Sequence, residues 1–273
     1  MVNFLFWNLK GKDLHKQVAY FARKYDVDVL ILAECNVPEA DMLRGLNGGV
    51  GNRFHGPHEQ HSECKRIVIY PRFLPRFLKT EMESNHWTMR RLSLPARTDI
   101  LLVAAHLSSK REKSEASQNL ALPFFGYPIR EQEKKAGNRR TIVVGDLNMN
   151  PFEHAVVGAT GLHAVMTREV ALRGSRTVNA IDHPFFYNPM WGHFGDRNDG
   201  PPGTCFYWRS EEVAYFWNAY DQVLIRPELL ERFPTDSLQI LEGDKRFPLL
   251  DERGRPDRNA GSDHLPIFFR LNL

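Results

Sequence analysis

Apolar runs, each closed by a single polar residue, organise this chain. Residues 2–7 are apolar and β-prone and stop at Asn8; that length suits a buried strand. Gly11 and Lys12 break the pattern. Leu14, Val18, Phe21, Ala22 and Tyr25 then recur at helical spacing, with Asp13 as the candidate N-cap. Residues 29–33 form a second apolar run, ended by Glu34. Strand, helix and strand over this length predict a crossover unit with two neighbouring parallel strands.

Further along, a short helix is expected over residues 38–46, with Pro38 in its first turn. A polar loop follows to Cys64. Residues 66–70 read as a strand stopped by Pro71, residues 87–94 as an alternating strand, and residues 99–106 as a buried one. Residues 108–135 are polar and partly helical, with interruptions expected near Pro123 and Pro128. Residues 141–145 form a strand ending at Asp146, and Pro151 opens a short helix. Residues 173–203, rich in Gly, Pro, Asn and aromatic side chains, read as a long structureless loop, and such loops inside a compact domain are often functional. Strands over 205–209, 220–225 and 265–271 complete the set, with a charged loop at 251–261. No linker or repeat divides the chain, so one α/β domain over residues 1–273 is expected.

Composition narrows the class. Hydrophobic residues make up 42% and charged residues 25% of 273 positions, which is ordinary for a folded chain and excludes disordered, collagen-like and coiled-coil classes. The longest apolar runs, such as residues 100–105, fall far short of the ~20 residues that cross a membrane. The first residues lack a basic start, a long apolar stretch and a small-residue cleavage site, so no signal peptide is expected. Cys35, Cys64 and Cys205 are odd in number and scattered, which argues against a disulfide framework and for a cytoplasmic location. The net charge of +3 is small for a DNA-wrapping protein. Basic clusters over 65–91 and 130–140 read either as solvated surface or as a phosphate-tracking surface. His55, His58, His61 and Cys64 recur at three-residue spacing. That spacing matches no established finger and is read as a polar loop rather than a zinc site.

The strand ends carry the chemistry. Asn8, Glu34, His106, Asp146 with Asn148, Asp221, and Asp263 with His264 each adjoin an apolar run. Strand ends are rigid mounts whose side chains can converge at one edge. Singly, each has an ordinary explanation as a turn former, a cap or a surface charge. Together, carboxylates, amides and histidines form the inventory of metal-assisted hydrolysis.

These residues stand in six stretches: Phe6-Trp7-Asn8-Leu9, Leu32-Ala33-Glu34, Ala105-His106-Leu107-Ser108, Val144-Gly145-Asp146-Leu147-Asn148, Tyr220-Asp221-Gln222-Val223 and Gly261-Ser262-Asp263-His264-Leu265-Pro266-Ile267. In order and content they resemble the endonuclease/exonuclease/phosphatase superfamily, the deoxyribonuclease I-like fold, over almost the whole chain. Tyr187-Asn188-Pro189-Met190-Trp191, Gly203-Thr204 and Trp217-Asn218 resemble a bacterial group of its members. The resemblance implies a four-layer α/β sandwich, two mixed β-sheets packed face to face with helices outside. It implies Glu34 as the main Mg²⁺ ligand, Asn8 close by, Asp263 supporting a metal-bound water, and Mn²⁺ as a possible substitute. It further implies that Asp146 and Asn148 position or activate the attacking water. His106 and His264 would bind phosphate oxygens, with His264 the acid/base candidate oriented by Asp221. The chemistry agrees, because Mg²⁺ prefers oxygen ligands and neutralises charge that builds on phosphoryl oxygens.

The implied activity is a Mg²⁺-dependent phosphodiesterase on nucleic acid, first of all a DNA endonuclease or nickase, with no membrane partner. A phosphatase or phosphodiesterase on a small phosphoester, such as a phosphoinositide or nucleotide, stays open. So do an RNA or single-strand nuclease and an inactive binding member. Aromatic residues are dense over 185–208. They either pack that segment down or stack unpaired bases. Arg176, Tyr187, Trp191 and Arg209 are the candidate substrate contacts, with Arg197 a further basic candidate.

Overall fold

The computed structural model describes residues 1–273 except 50–52, 58–61, 197–198, 209, 211 and 235. Among the described residues the strands are β1 Val2–Asn8, β2 Val29–Ala33, β3 Ile67–Pro71, β4 Leu78–Ser84, β5 Trp87–Leu92, β6 Ile100–His106, β7 Thr141–Asp146, β8 Ala164–Val165, β9 Ser175–Val178, β10 Ile181–Pro184, β11 Phe186–Tyr187, β12 Cys205–Phe206, β13 Trp217–Asn218, β14 Asp221–Ile225, β15 Gln239–Ile240 and β16 Ile267–Leu271. The α-helices are α1 His15–Lys24, α2 Glu39–Leu46, α3 Glu115–Ala121, α4 Pro123–Ala136, α5 His154–Val157 and α6 Arg168–Ala171.

The strands build a five-stranded sheet, β15-β16-β1-β2-β3, and a seven-stranded sheet, β4-β5-β6-β7-β14-β11-β8. Both are mixed: β1 runs parallel to β2 and antiparallel to β16, and β6 runs parallel to β7 while β14 runs antiparallel to it. Side-chain alternation shows how the layers stack. Leu102, Ala104, Ile142 and Val144 join one core with Phe4, Phe6 and Ile31 of the five-stranded sheet, and with Val18 and Phe21 of α1. Their neighbours Leu101, Val103, Ala105 and Val143 face the other way, against Leu122, Phe125 and Ile129 of the α3–α4 segment. Helix, sheet, sheet and helix thus form the expected four layers. No helix among the described residues is long and apolar enough to cross a membrane.

Several local features depart from the sequence-based expectations. Asp13 does not occupy the N-cap of α1; Leu14 does, and Asp13 Oδ1 accepts from the His15 N–H one residue further on. Pro128 does not interrupt α4 but lies inside it. The carbonyl that loses its helical partner there belongs to Phe124, four residues back in an exposed turn. Residues 173–203 are not structureless. They hold the β9–β10 hairpin, strand β11 and a 3₁₀ turn at Pro189–His193. Asn179 and Ala180, both at positive φ, make the hairpin turn.

Candidate active site

Strand register sets the site. His106 pairs with Asp146 across β6 and β7, and Asp146 pairs with Asp221 across β7 and β14. These side chains therefore stand in a row at one edge of the seven-stranded sheet. Gly145 is needed just before this row. A Cβ there would lie 1.9 Å from the carbonyl oxygen of Ala105, so no other residue fits between β6 and β7 without moving backbone. In the other sheet, Asn8 ends β1 opposite Ala33, and Glu34 follows with φ 45°. That left-handed kink turns the Glu34 carboxylate toward the same edge.

The two sheets meet through Asn8, which is fully buried. Its Nδ2 donates to Asp146 Oδ2 at 2.9 Å and to Glu34 Oε1 at 3.2 Å, while its Oδ1 accepts from the Lys10 N–H. In this arrangement Asn8 holds two carboxylates together and does not present its oxygen as a metal ligand. His106 Nε2 lies 3.5 Å from Glu34 Oε1 and 3.8 Å from Asp146 Oδ2. Lys10 Nζ stands 3.6 Å from the same Glu34 oxygen. Lys10 was not among the expected residues, although its place two residues beyond Asn8 is a usable signal.

On the other flank, Asp221 Oδ2 lies 2.8 Å from His264 Nδ1. The His264 backbone is tied down by Trp7 Nε1, which donates to its carbonyl, and by Ser262 Oγ, which accepts from its N–H. Burial disfavours the imidazolium, but the Asp221, Asp146 and Asp263 carboxylates outweigh it and push His264 up to about 10. His264 Nε2 lies 3.4 Å from the hydroxyl of Tyr207. Burial raises that phenol well above its ordinary range, so it stays neutral. Tyr207 is a second residue whose role the sequence did not single out. It is brought here by the β12–β13 hairpin, which bridges to His264 through Cys205. Asn148, at φ 53°, donates from its Nδ2 to Leu107 O at 2.8 Å, and its N–H donates to Asp146 Oδ1 at 2.8 Å.

The donor set fits a hard cation. Glu34 and Asp146 supply carboxylate oxygens at the junction of the sheets, and Asp263 is buried with an Oδ1 that has no hydrogen-bond partner. Mg²⁺ and Mn²⁺ favour such oxygen ligands. Asp146, Asp221 and His264 also place ligand atoms within 4.8 Å of one another. In that set His264 Nδ1 is engaged by Asp221 at 2.8 Å, so a cation there would compete with that hydrogen bond.

The expected substrate contacts fare differently. Tyr187 is buried and pairs with Ile225. Ile225 is four residues along β14 from Asp221, about 13 Å away at the usual strand rise. Arg176 is exposed on the β9–β10 hairpin, where its charge acts on His163 at the start of β8, the far edge of the sheet. Neither belongs to the His106–Asp146–Asp221 row. Trp191 is partly exposed and packs on Phe152 and Phe194, and Phe152 also packs on Tyr215. Arg209 and Arg197 lie outside the described residues, as do His58 and His61. Cys64 is buried, with its thiol directed at the Asn85 carbonyl.

The model of the endonuclease/exonuclease/phosphatase family matches residues 5–264. The chain belongs to that family. It is therefore an enzyme of the metal-dependent phosphodiester hydrolase type. No curated protein matches the sequence. Among solved structures, the chain is similar to the AP endonuclease from Archaeoglobus fulgidus, at 14% identity and TM-score 0.57 over 100% of both chains. It is also similar to D. rerio TDP2 complexed with single strand DNA product, at 16% identity and TM-score 0.56 over 100% of this chain and 99% of that one. A third is the endonuclease domain of TRAS1, a telomere-specific non-LTR retrotransposon, at 15% identity and TM-score 0.55 over 100% of this chain and 99% of that one. At these identities the likeness is one of fold.

Proposed function

We propose that the chain is a Mg²⁺-dependent DNA endonuclease acting as a single domain, with its chemistry at the junction of the two sheets. The observation that carries this reading is the 2.9 Å bond from Asn8 to Asp146, which brings the Glu34 end of one sheet against the His106–Asp146–Asp221 row of the other. Glu34, with Asp146 or Asp263, would hold the cation, whose contribution is to neutralise charge on the phosphoryl oxygens. Asp146 is the base for the attacking water, and Asn148 fixes it through its backbone N–H, which donates to Asp146 Oδ1. His264, kept as an imidazolium by Asp221, donates to a non-bridging phosphate oxygen. His106 supports the same oxygens from the opposite side.

A polymer fits better than a small phosphoester because the surface beside His264 is built for one. Trp208 is 75% exposed and Tyr215 52% exposed near the ends of β12 and β13. The guanidinium of Arg255 lies 4.2 Å from the Phe206 ring centroid, and that of Arg258 5.8 Å from Tyr207's. Exposed rings interleaved with cations suit a strand of bases and phosphates. One of the structural relatives above was solved with a single strand DNA product, which makes DNA the first polymer to test. The test is nicking of supercoiled plasmid with Mg²⁺, with Mn²⁺ and with chelator, beside Asp146→Ala and His264→Ala. Metal-dependent nicking lost in both variants is the expected result. Intact plasmid in every lane would overturn the duplex endonuclease reading.

A further inference from the structure

A cavity of about 250 Å³ opens beside the catalytic edge, where α3 and the start of α4 lie over the outer face of the seven-stranded sheet. Trp87, Leu107, Leu122, Phe125 and Met149 give it apolar walls. Trp87 and Phe125 face each other with ring centroids 6.0 Å apart. The walls continue directly from the catalytic residues: Leu107 follows His106, and Met149 follows Asn148. The Asn148 side chain bonds the Leu107 carbonyl, so the cavity and the reacting centre share one rigid frame. Phe124, in the same lining, is 80% exposed, an unusual position for a large apolar ring.

The cavity also holds specific polar groups. Gln118 is only 4% exposed, and its Nε2 donates to the carbonyls of Ser108 at 2.8 Å and Asn148 at 3.4 Å. Two carbonyl partners fix which end of the amide is nitrogen. The other end, Oε1, is buried without a hydrogen-bond partner. Such an atom is a standing cost unless a donor reaches it. Lys113, His86, Ser84 and Ser108 complete the polar lining. Apolar walls beside a lysine ammonium describe a site for a flat ring joined to a phosphate.

We propose that this cavity receives an unstacked nucleobase of the nucleotide adjoining the scissile phosphate. The enzyme would then select strands whose bases are already unpaired, or extrude one base from a duplex before cutting. Extrusion is least costly at mismatched, damaged or single-stranded positions, so the cavity makes the enzyme a reader of local strand opening. The proposal rests on the nucleic-acid reading above.

The test uses single-stranded oligonucleotides of one sequence, with the preferred cut position mapped first. The base on either side of that position is then replaced, one at a time, by an abasic analogue. Wild-type protein should lose about tenfold or more in kcat/KM for one of the two replacements, the range expected for one base–aromatic stack. Ala121→Trp, which fills the cavity, and Phe124→Ala, which strips a wall, should bring the base-bearing and abasic substrates to equal kcat/KM. Because the readout is a ratio within each protein, a general loss of activity does not mimic it. Indifference of the wild type to both replacements, or an unchanged ratio in both variants, overturns the proposal. Hydrolysis of bis(p-nitrophenyl) phosphate without cleavage of any oligonucleotide overturns the nucleic-acid reading itself, and the cavity's assignment with it.

Discussion

The Asp221→Asn variant isolates the charge that supports His264. Asparagine has nearly the same size, and its Oδ1 can still accept from the imidazole Nδ1–H, so orientation and packing persist while the negative charge is lost. At an effective dielectric near 20, a unit charge pair interacts by about 6 kcal/mol at the observed 2.8 Å. Asp146, at 3.9 Å from the same nitrogen, contributes about 4 kcal/mol on that scale and remains in the variant. Asp221 is fully buried, and burying its charge costs energy that a neutral amide avoids, which offsets part of the loss. The net expectation is that of removing one preorganised electrostatic group, about 3–4 kcal/mol of transition-state stabilisation, or roughly 10²–10³ in kcat. KM should change little, because the effect falls on charge developing in the reaction. The assay is steady-state cleavage of a labelled oligonucleotide at saturating metal, beside a thermal melt of both proteins. A folded variant whose kcat stays within about threefold of wild type refutes the role given to the Asp221–His264 pair.

Three further expectations follow from named contacts. Glu34→Gln should raise the metal concentration for half-maximal activity by at least about tenfold, because a charged hard ligand becomes neutral; an unchanged metal titration would move the cation away from Glu34. The folded state raises His264 from an ordinary 6.5 to about 10, so its contribution to stability is complete below pH 6.5 and is lost as pH rises toward 10. Urea midpoints of chelated protein should therefore fall across that window, and less steeply for His264→Gln; parallel curves would contradict the linkage. Arg226→Ala should cost about 3–5 kcal/mol, read from the denaturant midpoint, because it strands a buried charge. Arg226 bonds Glu133 twice, reaches the Pro184 and Phe185 carbonyls, and lies 3.7 Å from the Phe186 ring centroid. A loss under about 1 kcal/mol would show that the pair is dispensable.

Much of this frame was legible in the chain because central strands buried on both faces read as unbroken apolar runs. The runs ending at Asn8, His106 and Asp146 end there in the structure as well. β4 was invisible for the opposite reason. It is an edge strand, mostly half-exposed, and it is held by cross-strand pairs such as Arg91–Glu81 that leave no hydrophobic pattern. Lys10 and Tyr207 reach the site through a turn at positive φ and a short hairpin, geometry that side-chain periodicity does not encode. Residues 173–203 misled for a related reason. Their many turn formers serve a tight hairpin and a 3₁₀ turn, while Phe185, Phe186 and Tyr187 plug the core instead of facing substrate. Gln118 has one backbone carbonyl partner ten residues away and another thirty residues away, and no local pattern announces such a link.

The bond between Asn8 and Asp146 has a consequence for how this enzyme fails. In the proposed site neither sheet alone holds all the reacting groups, so catalysis there would depend on the alignment of two stacked plates at one rim. A shear between them would part Asn8 from Asp146 while leaving each sheet's own hydrogen-bond ladder intact. Turnover then becomes a gauge of inter-sheet slip, and under gentle heating it should decay at temperatures where backbone circular dichroism still reports a native molecule.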